Sequence, residues 1–310
     1  MNPRETPYEL PEVEGPSTEF VLRLFVIPAL IVAGIVGLWL AMSTWGGAPA
    51  DVMASARKLG DGREGWRAAF ELANRLRSDP ATASDPRLLG ELTRRLDAEL
   101  TRGGDPRMAE YLALAVGSFQ TDAATVDDGE AVDPLAALAR GLDARHDPVV
   151  RVASAASLAR HAARAEGAPP TPGVLEALAA AARAGDLPEL RRVAVFSVGF
   201  HGGEPAAEIL RERLGDDPDR CVRDNAALAL ARRGDPAAAA AIASMLAPDD
   251  GSGLARTVRL QALAALARPA ASALLRDSRP RVEALAASTD APTRDAALRL
   301  LQILQANAEL

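Results

Sequence analysis

Lysine is almost missing from these 310 residues: of 35 cationic side chains, only Lys58 is not arginine. That bias runs along the whole chain and points to no chemistry. Cysteine is just as scarce. The single thiol, Cys221, excludes an intramolecular disulfide and leaves no Cys-based metal site. Standing beside Val222 in an alanine-rich stretch, Cys221 is expected to be a small buried residue. Histidine occurs only at His146, His161 and His201, with none of the HExxH or Cys/His spacings that bind zinc. Phosphate-cradling GxxxxGK[ST] and nucleophile-elbow GxSxG motifs are missing too. The expectation is a chain that catalyses nothing and holds no cofactor or metal. His201, followed by Gly202 and Gly203, is expected to end a helix as an imidazolium facing the negative end of the dipole.

Two further shortages narrow the class. Aromatics are 4% of residues while apolar residues reach 48%, much of that alanine, the best intrinsic helix former. This composition describes helices packed through small side chains. Positive charge is not in excess either. A net charge of −7 argues against nucleic acid, whose phosphates need concentrated Lys and Arg to displace their counterions.

What is present begins at the N-terminus. Residues 1–19 hold four prolines and five glutamates against one arginine, too little apolar surface to offset the entropy of ordering, so an acidic disordered tail is expected. From Leu24 to Met42 the sequence LFVIPALIVAGIVGLWLAM then runs 19 residues without a charge. About 20 such residues in a helix cross the ~30 Å hydrocarbon core of a bilayer. Trp39 and Trp45 near one end and Arg23 at the other suit the headgroup layers. A cleaved signal peptide, suggested by Ala48-Pro49-Ala50, has a basic leader and a shorter apolar run, whereas this leader is acidic. A soluble core helix is the other alternative. The expected organisation is a tail over 1–19, a transmembrane helix over 20–43, a linker over 44–61 and a helical domain over 62–307. Arg57, Lys58, Arg63 and Arg67 after the span outnumber Arg4 and Arg23 before it, which places the C-terminal domain on the cytoplasmic side. Ala29, Ala33, Gly37 and Ala41 recur every fourth residue as a small-residue stripe, a surface for a second membrane helix or for self-association.

The remainder repeats. VRDNAALALARRG from Val222 shares its frame with VRLQALAALAR from Val258, VRVASAASLAR from Val150, LRRVAVFSVG from Leu190 and TRDAALRLL from Thr293. Weaker copies start at Met108 and Glu64, so successive starts lie 32 to 44 residues apart, the length of a two-helix unit. Val222, Ala226, Ala227 and Leu230 fall on one face of a helix. A hairpin of this size cannot bury such a stripe alone and must stack on neighbours, which makes an all-α solenoid with no strand in its latter two-thirds. Second helices are expected at 84–102, 132–144, 172–184, 204–214, 236–247 and 269–287, the last broken at Pro280. Asp85-Pro86, Asp133-Pro134, Glu204-Pro205 and Asp235-Pro236 put an acid at the cap and proline at the first helical position. The acid pairs Asp127-Asp128, Asp216-Asp217 and Asp249-Asp250 read as turn residues that cap or face water, and the acidic insertion 121–134 as a solvated loop.

The pattern D-x-x-x-x-V-R-x-x-A-x-x-A-L, matched best by Asp217, Val222, Arg223, Ala226, Ala229 and Leu230, resembles the first helix of a HEAT repeat. The resemblance covers about residues 62 to 307. It implies an α-solenoid in which Arg151, Arg191, Arg223, Arg259 and Arg294 each bond an Asp along a ladder between neighbouring repeats; the acid before Thr293 is missing. It also implies a binding surface for protein partners, here near a membrane, as a scaffold or assembly factor. Some HEAT-like proteins catalyse. One group resembles DNA alkyl-base glycosylases, whose basic aromatic groove this acidic chain lacks; another resembles phycobilin lyases, and that alternative would need a chromophore or an adduct at Cys221.

Overall fold

The computed structural model describes residues 65–126, 129–171, 173–247 and 253–308, and these form fourteen α-helices. In chain order they are α1 (Gly65–Ser78), α2 (Pro86–Arg102), α3 (Pro106–Val116), α4 (Pro134–Arg140), α5 (Pro148–Arg164), α6 (Val174–Ala182) and α7 (Pro188–Val198). Then follow α8 (Glu204–Asp216), α9 (Arg220–Arg232), α10 (Ala239–Met245), α11 (Gly253–Leu266), α12 (Ser272–Asp277), α13 (Arg279–Leu285) and α14 (Ala291–Ala308). Of these helices none is long and apolar enough to cross a membrane. The expected membrane segment over 20–43, with Ala29, Ala33, Gly37 and Ala41, lies outside the described residues, as do the tail, the linker, Asp127-Asp128 and Asp249-Asp250.

Local chemistry explains where the helices start. Asp85, Asp105, Asp133, Asp147 and Asp219 each stand just before a helix and accept a hydrogen bond from a main-chain N–H of its first turn. The first four are followed by proline at the opening helical position, where its missing N–H costs nothing. Asp235 does the same for a 3-10 turn, Pro236–Ala238, that leads into α10. Glu204 departs from the expectation: Gly203 takes the cap position and Glu204 falls inside the first turn of α8. Pro280 likewise starts a helix rather than breaking one, so the interruption comes at Ser278 between α12 and α13.

Packing then arranges the helices in two rows. The first helices of successive hairpins, α1, α3, α5, α7, α9, α11 and α14, lie side by side, each packed on the next. Helices α2, α4, α6 and α8 form a looser second row, continued by α10, α12 and α13. Each of α2, α4, α6 and α8 packs chiefly on the first helix of the next hairpin, so no hairpin is closed by itself. Burial reflects this. On α1 the buried residues are Ala69, Leu72, Ala73 and Leu76, a single stripe at helical spacing, because nothing described precedes that helix. On α5, flanked on both sides, Val150, Ala153, Ser154, Ala155, Ser157, Leu158, Ala159 and His161 are all buried. Small side chains are what let neighbouring backbones come this close.

One expectation is corrected here. The acidic insertion is not an extended solvated loop, and it contains strand: Ala124–Thr125 (β1) and Ala131–Val132 (β2) pair antiparallel, Ala124 opposite Val132. The short ladder lies on α2, with Ala124 buried. Gly90 of α2 makes this approach feasible, since a Cβ there would collide with the Thr125 carbonyl. Asp122 fixes the other end of the insertion. Its carboxylate lies 2.5 Å from Nδ1 of His161 and accepts from the Arg164 guanidinium at 2.6 Å, while Nε2 of His161 meets the Val116 carbonyl at 3.1 Å. The imidazole is thus held on both sides, Nε2 by the Val116 carbonyl and Nδ1 between the Asp122 carboxylate and the Arg164 guanidinium. The hydrogen bond from His161, reinforced by its charge and that of Arg164, holds the Asp122 carboxyl below its ordinary pKa against the opposing effect of burial.

Candidate docking surface

Of the five arginines expected to form an inter-repeat ladder, Arg191 does pair with an Asp, and all five share a second target. Arg191, itself buried, pairs with the buried carboxylate of Asp217 at 3.0 and 3.3 Å and also donates to the carbonyls of Ala184 and Gly185. Arg151 donates to Leu142, Arg223 to Asp217 and Pro218, Arg259 to Ala247 and Arg294 to Ser288, in each case to a main-chain carbonyl. All of these carbonyls lie just past the end of the preceding second helix. A guanidinium there satisfies acceptors left without helical partners and meets the negative end of the helix dipole. The repeated Val-Arg therefore marks where one hairpin is pinned to the next. Asp217 is a hub rather than a turn residue facing water: its side chain holds Arg191, its carbonyl holds Arg223, and its carboxylate accepts from the Asp219 N–H.

Two other single-residue expectations change. Cys221 is exposed in the first turn of α9, because the buried position of that turn belongs to Val222. His201 lies two residues past the C-cap of α7 but is buried, and burial, with a smaller effect from Arg233, lowers its pKa. Burial thus disfavours the imidazolium expected there. His146 is displaced in the same direction, by burial and then by Arg145. Among the described residues no group of three or more His, Cys, Asp or Glu is placed to hold a metal ion.

The two rows present different surfaces. Between α4 and α6 of the second row a depression of about 670 Å³ is lined by Arg140, Asp143, Arg151, Asp186 and small residues including Ala177. Arg140 is already engaged there with Asp97 of α2, at 2.6 to 3.0 Å, and Arg151 with its carbonyl. On the first row a groove of about 380 Å³ runs across α3, α5 and α7. Leu114, Val149, Val152, Ala156 and Leu190 make its floor and walls, and its charged lining residues are Glu110 and Glu189. Among the described residues no side chain hydrogen-bonds or pairs with the Glu110 carboxylate, and burial followed by the charge of Asp147 raises its pKa. Alongside, Trp66 of α1 stacks on Tyr111 of α3 at 5.9 Å between ring centres, and Phe70 of α1 meets the same ring edge-on at 5.3 Å. The large apolar side chains that stay exposed among the described residues are Phe70, Val149, Phe196, Leu298 and Ile303, and all five are on first-row helices. Sequence patterning had singled out none of them, because a repeat signal reports what neighbouring hairpins bury and is silent on what they leave uncovered.

Known proteins add the following. Residues 175–264, from α6 into α11, match the family model described as HEAT repeats. No curated protein matches the chain. A solved structure titled human deoxyhypusine hydroxylase in complex with glycerol is similar, with 20% identity, 83% of this chain and 96% of that chain covered, and a TM-score of 0.30. That neighbour is an enzyme by its title, so the expectation of a chain that catalyses nothing is withdrawn. A likeness of this size carries no residue role or substrate across. The family match shows a likeness to HEAT repeats over residues 175–264, and hairpins of the same two-helix build continue on either side of them.

Proposed function

We propose that this chain is a membrane-anchored HEAT-repeat scaffold whose row of first helices docks a protein partner, in the assembly of a membrane complex. The observation that carries the docking half is the placement of Phe70, Val149, Phe196, Leu298 and Ile303 on one row of helices, while among the described residues the other row leaves no large apolar side chain exposed. Exposed large apolar side chains gathered on one face mark interaction surfaces, whereas single scattered ones need no explanation. The anchoring half rests on the 19 uncharged residues from Leu24 to Met42. Tethering confines the array near the bilayer and raises the effective concentration of partner surfaces there. The excess of Arg and Lys after the span assigns the array to the cytoplasmic side.

Docking is tested by placing a photoreactive amino acid at Val152 or, as a control, at the exposed second-row residue Glu208, and irradiating native membranes. Discrete adducts at 152 and none at 208 are expected; the reverse pattern would remove the assignment of the face. Anchoring and sidedness have a separate test. The full chain should stay with membranes after carbonate washing, and a version lacking residues 1–45 should be soluble and helical. As the one thiol, exposed on α9, Cys221 should react with an impermeant maleimide only after cells are opened. Labelling of intact cells would reverse the orientation.

A further inference from the structure

The groove across α3, α5 and α7 constrains what it can accept, and this step rests on the docking role proposed above. Its surface is mostly aliphatic, contributed by Leu114 of α3, by Val149, Val152 and Ala156 of α5, and by Leu190 of α7. Val149, Val152 and Ala156 fall three and four residues apart, so they form one ridge along α5 between its two neighbours. A ridge bounded by two parallel furrows takes a helix lying along it, seated through its own residues at three- and four-residue spacing. An extended strand has no unpaired sheet edge to join here, since the surface is helical throughout.

Charge decides which helix. The carboxylates lining the groove are Glu110 on the α3 side and Glu189 on the α7 side, and no cation lines it with them. Glu189 is exposed and lies 3.6 Å from Arg192. Glu110 is half-buried with nothing paired to it among the described residues, and the negative charge of Asp147 nearby outweighs the opposing charge of Arg107. An acidic rim on an apolar floor repels anionic lipid headgroups and acidic segments, and it attracts a cation positioned to meet Glu110 as water leaves the groove. We infer that the groove seats an amphipathic helix of a protein partner, apolar face down, with Arg or Lys at its edges meeting Glu110 and Glu189.

The test uses the full chain in phosphatidylcholine nanodiscs and two fluorescent peptides sharing one Leu-rich helical face, one carrying Arg and the other Glu at the flanking positions. Anisotropy titration should show binding of the Arg peptide and at least about tenfold weaker binding of the Glu peptide. The double variant Glu110→Gln/Glu189→Gln should weaken the Arg peptide about tenfold and narrow its preference over the Glu peptide. Val152→Asp should abolish binding of both. Equal binding of the two peptides, with both lost in Val152→Asp, would overturn the charge assignment and leave the docking face standing. Arg-peptide binding indifferent to Val152→Asp, or no binding at all, would overturn the groove as a helix site, while adducts at position 152 in native membranes report independently on the docking role. Quenching of a probe at position 152 by spin-labelled lipid would put the bilayer in the groove and equally overturn the inference.

Discussion

The first and second rows are built from the same alanine-rich hairpins, yet they solve different problems. Second-row helices are joined through side-chain charges: Arg140 to Asp97, Arg183 to Glu212, and Arg211 to Asp235. These links are polar, exposed or half-exposed apart from the buried Asp235, and satisfied within the chain. First-row helices carry such links too, Arg192 to Asp219 and Arg256 to Asp290, but they pack more closely through small residues and leave Phe70, Val149 and Phe196 uncovered, with Leu298 and Ile303 on α14, which ends the described array. A stack of repeats must hide the stripe each hairpin shares with the next, but nothing obliges it to hide the outer face. When that face is apolar on one row and ion-paired on the other, the apolar row is the one with binding energy still to gain.

The largest effect should come from breaking the link between hairpins. Arg191→Ala strands the buried Asp217 carboxylate and the carbonyls of Ala184 and Gly185, and should lower unfolding stability in urea by about 3–5 kcal/mol. Replacing both partners together, Arg191→Met with Asp217→Leu, should recover much of that, since a matched apolar pair costs less than an orphaned charge. If the single and double changes cost the same, the pair is not what pins α7. Gly90→Leu comes next. A side chain there must displace the Thr125 backbone, so the insertion should become the first site of protease cleavage, with a loss of about 1–3 kcal/mol. Cleavage unchanged from the parent chain would show that β1 does not lie on α2.

A smaller, pH-dependent effect should come from the second row. Glu212 is held at a pKa of about 2, chiefly by its hydrogen bond from Arg183, against an ordinary 4.5. A folded-state pKa below the unfolded one contributes stability that is present above about pH 4.5 and is lost as pH falls toward 2. Glu212→Gln should therefore lower the urea midpoint modestly near pH 7 and flatten its decline over that window, so that variant and parent converge near pH 2. Asp122, also lowered, adds to the same acid loss. Smallest of all, Arg140→Ala removes an ion pair whose side chains are 51% and 34% exposed, and should cost about 0–1 kcal/mol. A loss comparable to that of Arg191→Ala would erase the distinction between the rows.

Much of this array was legible before the structure. The recurring Val-Arg frame located the first helices: each starts within two residues of the pattern's start, except α11, which begins five residues earlier at Gly253. The Asp-Pro pairs located second helices for the same reason they work, since both residues act locally. Reading failed where the determinant is tertiary. Strand in the insertion depends on Gly90, more than thirty residues away in sequence from the Thr125 backbone it admits. The burial of His201 and the exposure of Cys221 depend on neighbours rather than on the flanking sequence. The groove itself arises only when α3, α5 and α7 stand side by side, and Glu110 belongs to a weak copy of the repeat that gave it no prominence.

Hydrogen–deuterium exchange of the full chain in nanodiscs, with and without the Arg-bearing amphipathic peptide, tests the contrast between the rows most directly. Protection confined to α3, α5 and α7, with α2, α4 and α6 unchanged, is the expected result. Protection concentrated on α2, α4 and α6 would contradict it and move the docking face to the other side of the array.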